Sequence, residues 1–116
     1  MSLVVCGLSH HTSDIALRER MSFAEDKLPE ALSALRNRID GAGAVIVSTC
    51  NRSEVYVNHI GEPEDLFHEI RQFLSEWHEV PEQDFDEFLY ELDDAEAVGH
   101  LFRVASSLDS LVVGED

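Results

Sequence analysis

Cys50 stands where an apolar run, Ala44–Ser48, gives way to the polar stretch Thr49–Ser53. A strand ending there would present the thiol at a loop, where rigid scaffolds carry reactive groups. Arg52, two residues on, is close enough in sequence to favour thiolate over thiol. Free cysteine is only a few per cent thiolate at neutral pH, so such help matters for nucleophilic catalysis. The local residues also allow a plainer role, since most lone cysteines pack as small hydrophobes. Both readings stand at this level. Cys6, in the middle of the apolar run Leu3–Leu8, is expected to be packing.

Spacing excludes several other chemistries. A phosphatase-type loop needs cysteine, five residues, then arginine, and position 56 is Tyr. A structural zinc site needs paired ligands at short spacing. Of the six histidines only His10 and His11 are close neighbours, and adjacent side chains rarely share a metal, so no metal site is expected. Gly41 and Gly43 precede a strand and do not join a strand to a helix, so they form no dinucleotide loop.

The elements that must position Cys50 follow from periodicity. Leu3–Leu8 reads as a strand running into the polar loop Ser9–Thr12, followed by a brief helical stretch, Ile15–Met21. Ser22 and Glu25 have capping-box spacing, and the helix they would open sets Leu28, Ala31, Leu32 and Leu35 on one face. Asp40–Gly43 ends it. Ala44–Ser48 and Glu54–Ile60 are strands. A helix after Pro63 carries Leu66, Phe67, Ile70, Phe73, Leu74 and Trp77 on a wide apolar face. Val80–Asp84 is a linker, and the second half of Phe85–Leu92 is a strand. Asp93 and Glu96 introduce a helix, Ala95–Ala105, and the remaining residues look like loop. This order predicts an α+β fold: a two-layer, ferredoxin-like sandwich with helices on one face of a small, mostly antiparallel sheet. One domain over residues 1–116 is expected.

Charge is the unusual feature. Asp and Glu number 24 against 8 Lys and Arg, for a net charge of −16, and the acids are scattered among periodic apolar residues. Two readings follow, a surface adapted to high intracellular salt or a site for a basic partner, and scatter favours the first. Taken alone, the composition argues against nucleic-acid binding, because phosphate contacts need Lys or Arg. No apolar run approaches a membrane span, and the start has no basic region or cleavage site of a signal peptide. Two distant cysteines suit a reducing cytoplasm.

The segment "STCNRSEVY", residues 48–56, resembles the active-site motif of glutamyl-tRNA reductases, Ser/Thr-Thr-Cys-Asn-Arg-x-Glu-x-Tyr. "GLSHHTSDIALRER", residues 7–20, and "HLFRVASSLDSLVVGED", residues 100–116, are similar to two further segments of that family, in the same order. The resemblance implies the N-terminal catalytic domain of an NADPH-dependent oxidoreductase of tetrapyrrole (porphyrin) biosynthesis. Cys50 would form a glutamyl thioester from glutamyl-tRNA, and hydride transfer would release glutamate-1-semialdehyde. Thr49, Asn51 and Arg52 match substrate-holding positions, with Arg52 the fork for the glutamate carboxylate. His100 matches a histidine that polarises the carbonyl or moves a proton. Ser110, Glu115 and Asp116 match the next substrate-contacting stretch.

The plainer readings remain beside these: Arg52 pairing with Glu54, His100 as a core-edge histidine, Arg18 and Glu19 in surface pairs. There are departures too. Ser13-Asp14 stand where the family has Ala-Pro, Ser107 replaces a common Gly, and Asp116 occupies a variable position. The sequence ends where the family continues, so the resemblance implies NADPH-binding and dimerisation domains outside this chain, a homodimer for the whole enzyme and a downstream aminomutase as partner. The contrasting reading is a small acidic interaction module, which has no reason to activate a thiol. A thiol-redox domain lacks a second nearby cysteine.

Overall fold

The computed structural model describes residues 1–114, with side chains through Ser106. Its elements run β1 (Ser2–Ser9), α1 (Ile15–Arg20), α2 (Leu28–Arg38), β2 (Gly43–Ser48), β3 (Arg52–His59), α3 (Pro63–His78), β4 (Tyr90–Asp93) and α4 (Asp94–Gly114). The strands form one antiparallel sheet in the order β2-β3-β1-β4. Each helical connection therefore skips a strand: β1 to β2 passes over β3, and β3 to β4 passes over β1. This is the split βαβ arrangement of the ferredoxin-like sandwich expected from the sequence.

Strand β1 is central and covered on both sides, which is why its sequence is nearly continuous in apolar residues. Val4, Cys6 and Leu8 lie on the face packed by α2 and α3, together with Val55 and Val57 of β3. Phe85, Ile70 and Leu35 are fully buried in this core. Each such side chain contributes about 1.5–3 kcal/mol relative to leaving it in water. On the opposite face, Val5 and Tyr56 pack with Ala97 of α4, with Leu3, Val47 and Leu92 around them. The terminal helix thus covers the second face of the sheet, outside the βαββαβ unit. It follows β4 without a loop because Asp94 adopts a left-handed φ of 48°, which turns the chain in one residue.

Three local expectations are corrected. Ser22 does not cap a helix: its hydroxyl donates to the Glu19 carbonyl (2.9 Å). The chain at Phe23 is instead drawn to the sheet, where the Phe23 N–H donates to Ser48 Oγ (2.9 Å) and the ring is buried, so the helix begins only after a 3-10 turn at Glu25–Lys27. The stretch after Ala105 is helical through Gly114, with no proline to break it. Arg18 and Glu19 form no ion pair among the described residues. Arg18 Nη1 donates to the Ser13 carbonyl (2.6 Å).

Candidate active site

Cys50 and Asn51 are the two-residue tip of the β2–β3 hairpin. Ser48 pairs with Ser53, and the next rung is closed by Thr49 N–H donating to the Arg52 carbonyl (2.8 Å). Inside the turn the Asn51 N–H donates to Thr49 Oγ1 (3.2 Å). From outside, the His10 N–H donates to the Asn51 carbonyl (2.9 Å), which extends the β1–β3 ladder and pins the tip to the end of β1. Short side-chain-to-backbone bonds of this kind are how Thr holds a turn. The Cys50 side chain is exposed at this fixed tip. Cys6 is its opposite: burial first, then the nearby Glu91, pushes its thiol well up, partly offset by Arg71. A thiol held neutral in the core is a poor nucleophile.

On the α4 side of the sheet, alternation along β3 points Arg52, Glu54 and Tyr56 the same way. Glu54 is completely buried there. Its Oε1 accepts from the Tyr56 hydroxyl (2.9 Å). Its Oε2 accepts from the Tyr90 hydroxyl of β4, from His100 Nε2 of α4 and from Arg52 Nη1 (3.3 Å). One carboxylate therefore ties β3 to β4 through Tyr90 and to the covering helix through His100. Burial would raise its pKa, but the hydrogen bonds from Tyr90, His100 and Tyr56, with the His100 charge, outweigh it and hold the carboxyl below its ordinary value. Both tyrosines are pushed up, chiefly by burial and then by the Glu54 charge and hydrogen bond, so they remain donors. An ionised carboxylate can only accept, so His100 donates to it from Nε2, and Nδ1 is the nitrogen left for other work.

Arg52 and His100, chosen from the sequence, are thus both joined to Glu54, while Thr49, Cys50 and Asn51 share the hairpin tip. The side chain of Ser110, and Glu115 and Asp116 altogether, lie outside the described residues. Sequence reading missed Glu54 as the hub, with Tyr56 and Tyr90 as its partners. The available signal was an acidic residue inside the apolar alternation of β3, with a tyrosine two positions on. His10 contributes its backbone, and its exposed ring lies against that of His11 (3.9 Å between centroids).

On the other side of the hairpin, Cys50 edges a cleft of about 380 Å³ bounded by α1 and by Phe23 and Ser48. Among the described residues no group of three or more His, Cys, Asp or Glu is placed to hold a metal ion, and no helix is long and apolar enough to cross a membrane. The sheet is antiparallel throughout, with no glycine-rich turn leading a parallel strand into a helix.

Residues 6–116 match the family described as Glutamyl-tRNAGlu reductase, N-terminal domain. The chain is 43% identical over 115 residues to the glutamyl-tRNA reductase of Shewanella piezotolerans and 45% identical over 115 residues to that of Shewanella oneidensis. Each alignment covers 99% of this chain and 26% of the relative, so the chain spans about a quarter of the length of these curated relatives. A match over nearly its whole length, with the thiol-bearing hairpin and its flanking segments inside it, means that the chain belongs to the glutamyl-tRNA reductase N-terminal domain family.

Proposed function

We propose that this chain is the acyl-transfer domain of a glutamyl-tRNA reductase, acting in tetrapyrrole biosynthesis. Cys50 Sγ attacks the carbonyl carbon of the ester between glutamate and the RNA ribose. A carbon–sulfur bond forms, the carbon–oxygen bond to the ribose breaks, and the thiol proton ends on the departing ribose oxygen. His100 moves or holds that proton at Nδ1, since Glu54 occupies Nε2. Arg52, backed by Glu54, holds the glutamate side-chain carboxylate, and Thr49 and Asn51 keep the thiol and carbonyl aligned. Ser110, Glu115 and Asp116 complete the substrate pocket.

The reading rests on one observation above all: an exposed thiol on a pinned two-residue hairpin, whose outgoing strand carries a buried carboxylate bonded to a histidine. A carboxylate–imidazole pair of that kind fixes tautomer and ring orientation in nucleophilic catalysis generally. On this reading the chain's own part ends at the thioester. Reduction to glutamate-1-semialdehyde falls to a cofactor-binding region outside it, as do dimerisation and any hand-over to an aminomutase. We assign the domain to the cytoplasm and its acidic surface to a salty one, as in a halophile. Stability should then rise with KCl, and equal stability in dilute buffer would remove the salt reading.

Mass spectrometry after incubation with glutamyl-tRNA tests the chemistry. The expected result is a glutamyl adduct on Cys50, absent in Cys50→Ser. A folded protein with a readily alkylated Cys50 and no adduct would end the claim that this domain transfers the acyl group unaided.

A further inference from the structure

The Glu54 network occupies one side of the Cys50 hairpin, and the cleft lies on the other. Arg18 of α1 lines that cleft together with Ser22, Phe23, Ser48 and Thr49. Of the eight Lys and Arg residues, Arg20, Arg38, Arg52 and Arg71 are in ion pairs. Arg18 is in none among the described residues, although acids outnumber bases three to one. Its Nη1 is anchored on the Ser13 carbonyl (2.6 Å), and its Nε is buried with no hydrogen-bond partner. That leaves the guanidinium held at the cleft with no counter-ion among the described residues, the state in which an anionic ligand adds a charge-assisted hydrogen bond.

The other groups of the lining suit an acceptor-rich ligand. Ser48 Oγ accepts from the Phe23 N–H and Thr49 Oγ1 from the Asn51 N–H, so each hydroxyl keeps its own proton to donate. Ile15, well exposed, and Phe23 supply an apolar wall, and Glu19 is the single acid, able to accept from a ribose hydroxyl or an exocyclic amine. A guanidinium, hydroxyl donors and an apolar wall together fit a nucleotide better than an amino acid.

We propose that this cleft seats the 3′-terminal nucleotide of the acylated RNA, with Arg18 as its phosphate contact. The inference rests on the acyl-transfer reading. The thiol must meet an ester whose acyl part lies toward Arg52 and His100 and whose leaving ribose lies opposite. It also accounts for nucleic-acid recognition by so acidic a chain: one unneutralised arginine at the reacting end replaces a basic surface.

The test uses an uncharged RNA microhelix ending in CCA, fluorescently labelled, with binding followed by anisotropy across a KCl series. Arg18→Ala should weaken binding about tenfold or more, as expected for losing a charge-assisted hydrogen bond, and should lower the slope of log affinity against log salt by about 0.7. Arg36→Ala, an exposed charge on α2, should stay near wild type. Arg18→Gln, which keeps the aliphatic stem and a polar end but removes the charge, covers the case in which the alanine variant fails to fold. Equal weakening by Arg18 and Arg36 variants, no effect at Arg18, or no binding by the wild type would each overturn the proposal. Acylation of Cys50 is read separately with glutamyl-tRNA. Arg18-dependent RNA binding without acylation would sink the acyl-transfer reading and leave the nucleotide seat. Normal acylation in Arg18→Gln would do the reverse.

Discussion

Gly7 and Glu54 are partners across the β1–β3 ladder, and a Cβ on Gly7 would come within 2.8 Å of the Glu54 Cγ. It would also lie 3.0 Å from both the Ser53 carbonyl oxygen and the Tyr90 hydroxyl. The glycine is required here for space. Its absent side chain is what lets the carboxylate lie flat on the sheet beneath α4.

Gly7→Ala should therefore destabilise the fold by about 1–3 kcal/mol, the usual cost of overpacking a closed site. The backbone carbonyl of Ser53 cannot move aside as a flexible side chain would. Urea denaturation measures this, and an unchanged midpoint would mean that the Glu54 side chain has an alternative resting place.

Glu54→Gln leaves Arg52 and His100 beside a neutral amide and should cost about 3–5 kcal/mol at neutral pH, as when one partner of a buried ion pair is removed. The sign with pH follows from the direction of the shift. Because the folded carboxyl titrates below its ordinary value of 4.5, its contribution is present above that value and is lost as pH falls through the folded pKa. Wild-type stability should drop below pH 4.5, and the Gln variant should lack that part of the drop. Parallel curves would show that the carboxylate is not the acid-sensitive group.

A second acid-sensitive group is His78, at the end of α3. Burial pulls its pKa down from 6.5 to about 4, its Nε2 has no partner, and its ring lies edge-on to Phe23 (4.6 Å). The folded imidazole resists a proton that the unfolded one accepts, so stability should fall between pH 6.5 and about 4, by up to about 3 kcal/mol. His78→Phe should flatten that window. Chemical denaturation at half-unit steps would separate it from the Glu54 effect at lower pH, and an unchanged slope would mean that His78 protonates freely in the folded state.

The two cysteines should differ sharply toward alkylation. Cys50 is exposed on its hairpin tip, whereas Cys6 lies in the core with its thiol raised by burial. Native iodoacetamide labelling followed by peptide mapping should modify Cys50 alone, with Cys6 reacting only in denaturant. Comparable labelling of both would require β1 to open far more readily than a central strand should.

Most of the secondary structure and the place of the thiol were legible from local residue patterns. Period-two alternation marked β3, the long apolar face marked α3, and the break from Val47 to Thr49 marked the turn that presents Cys50. These are local signals, because strand and helix periodicity are properties of neighbouring residues. Motif similarity added Arg52 and His100, but not what they touch.

That both meet Glu54 follows from the folded arrangement alone. That residue is 46 positions from His100 and 36 from Tyr90, and their meeting depends on strand order, register and the face that α4 covers. The same holds for Ser22, whose capping pattern was locally sound but lost to the pull of Phe23 into the core and its bond to Ser48. It holds too for Arg18, an ordinary helix-surface arginine by pattern, which acquires an uncommitted buried donor only where α1 meets the Cys50 hairpin. Long-range pairing of polar groups is written in no local period, since what selects the partners is the desolvation of groups that the fold has already brought together.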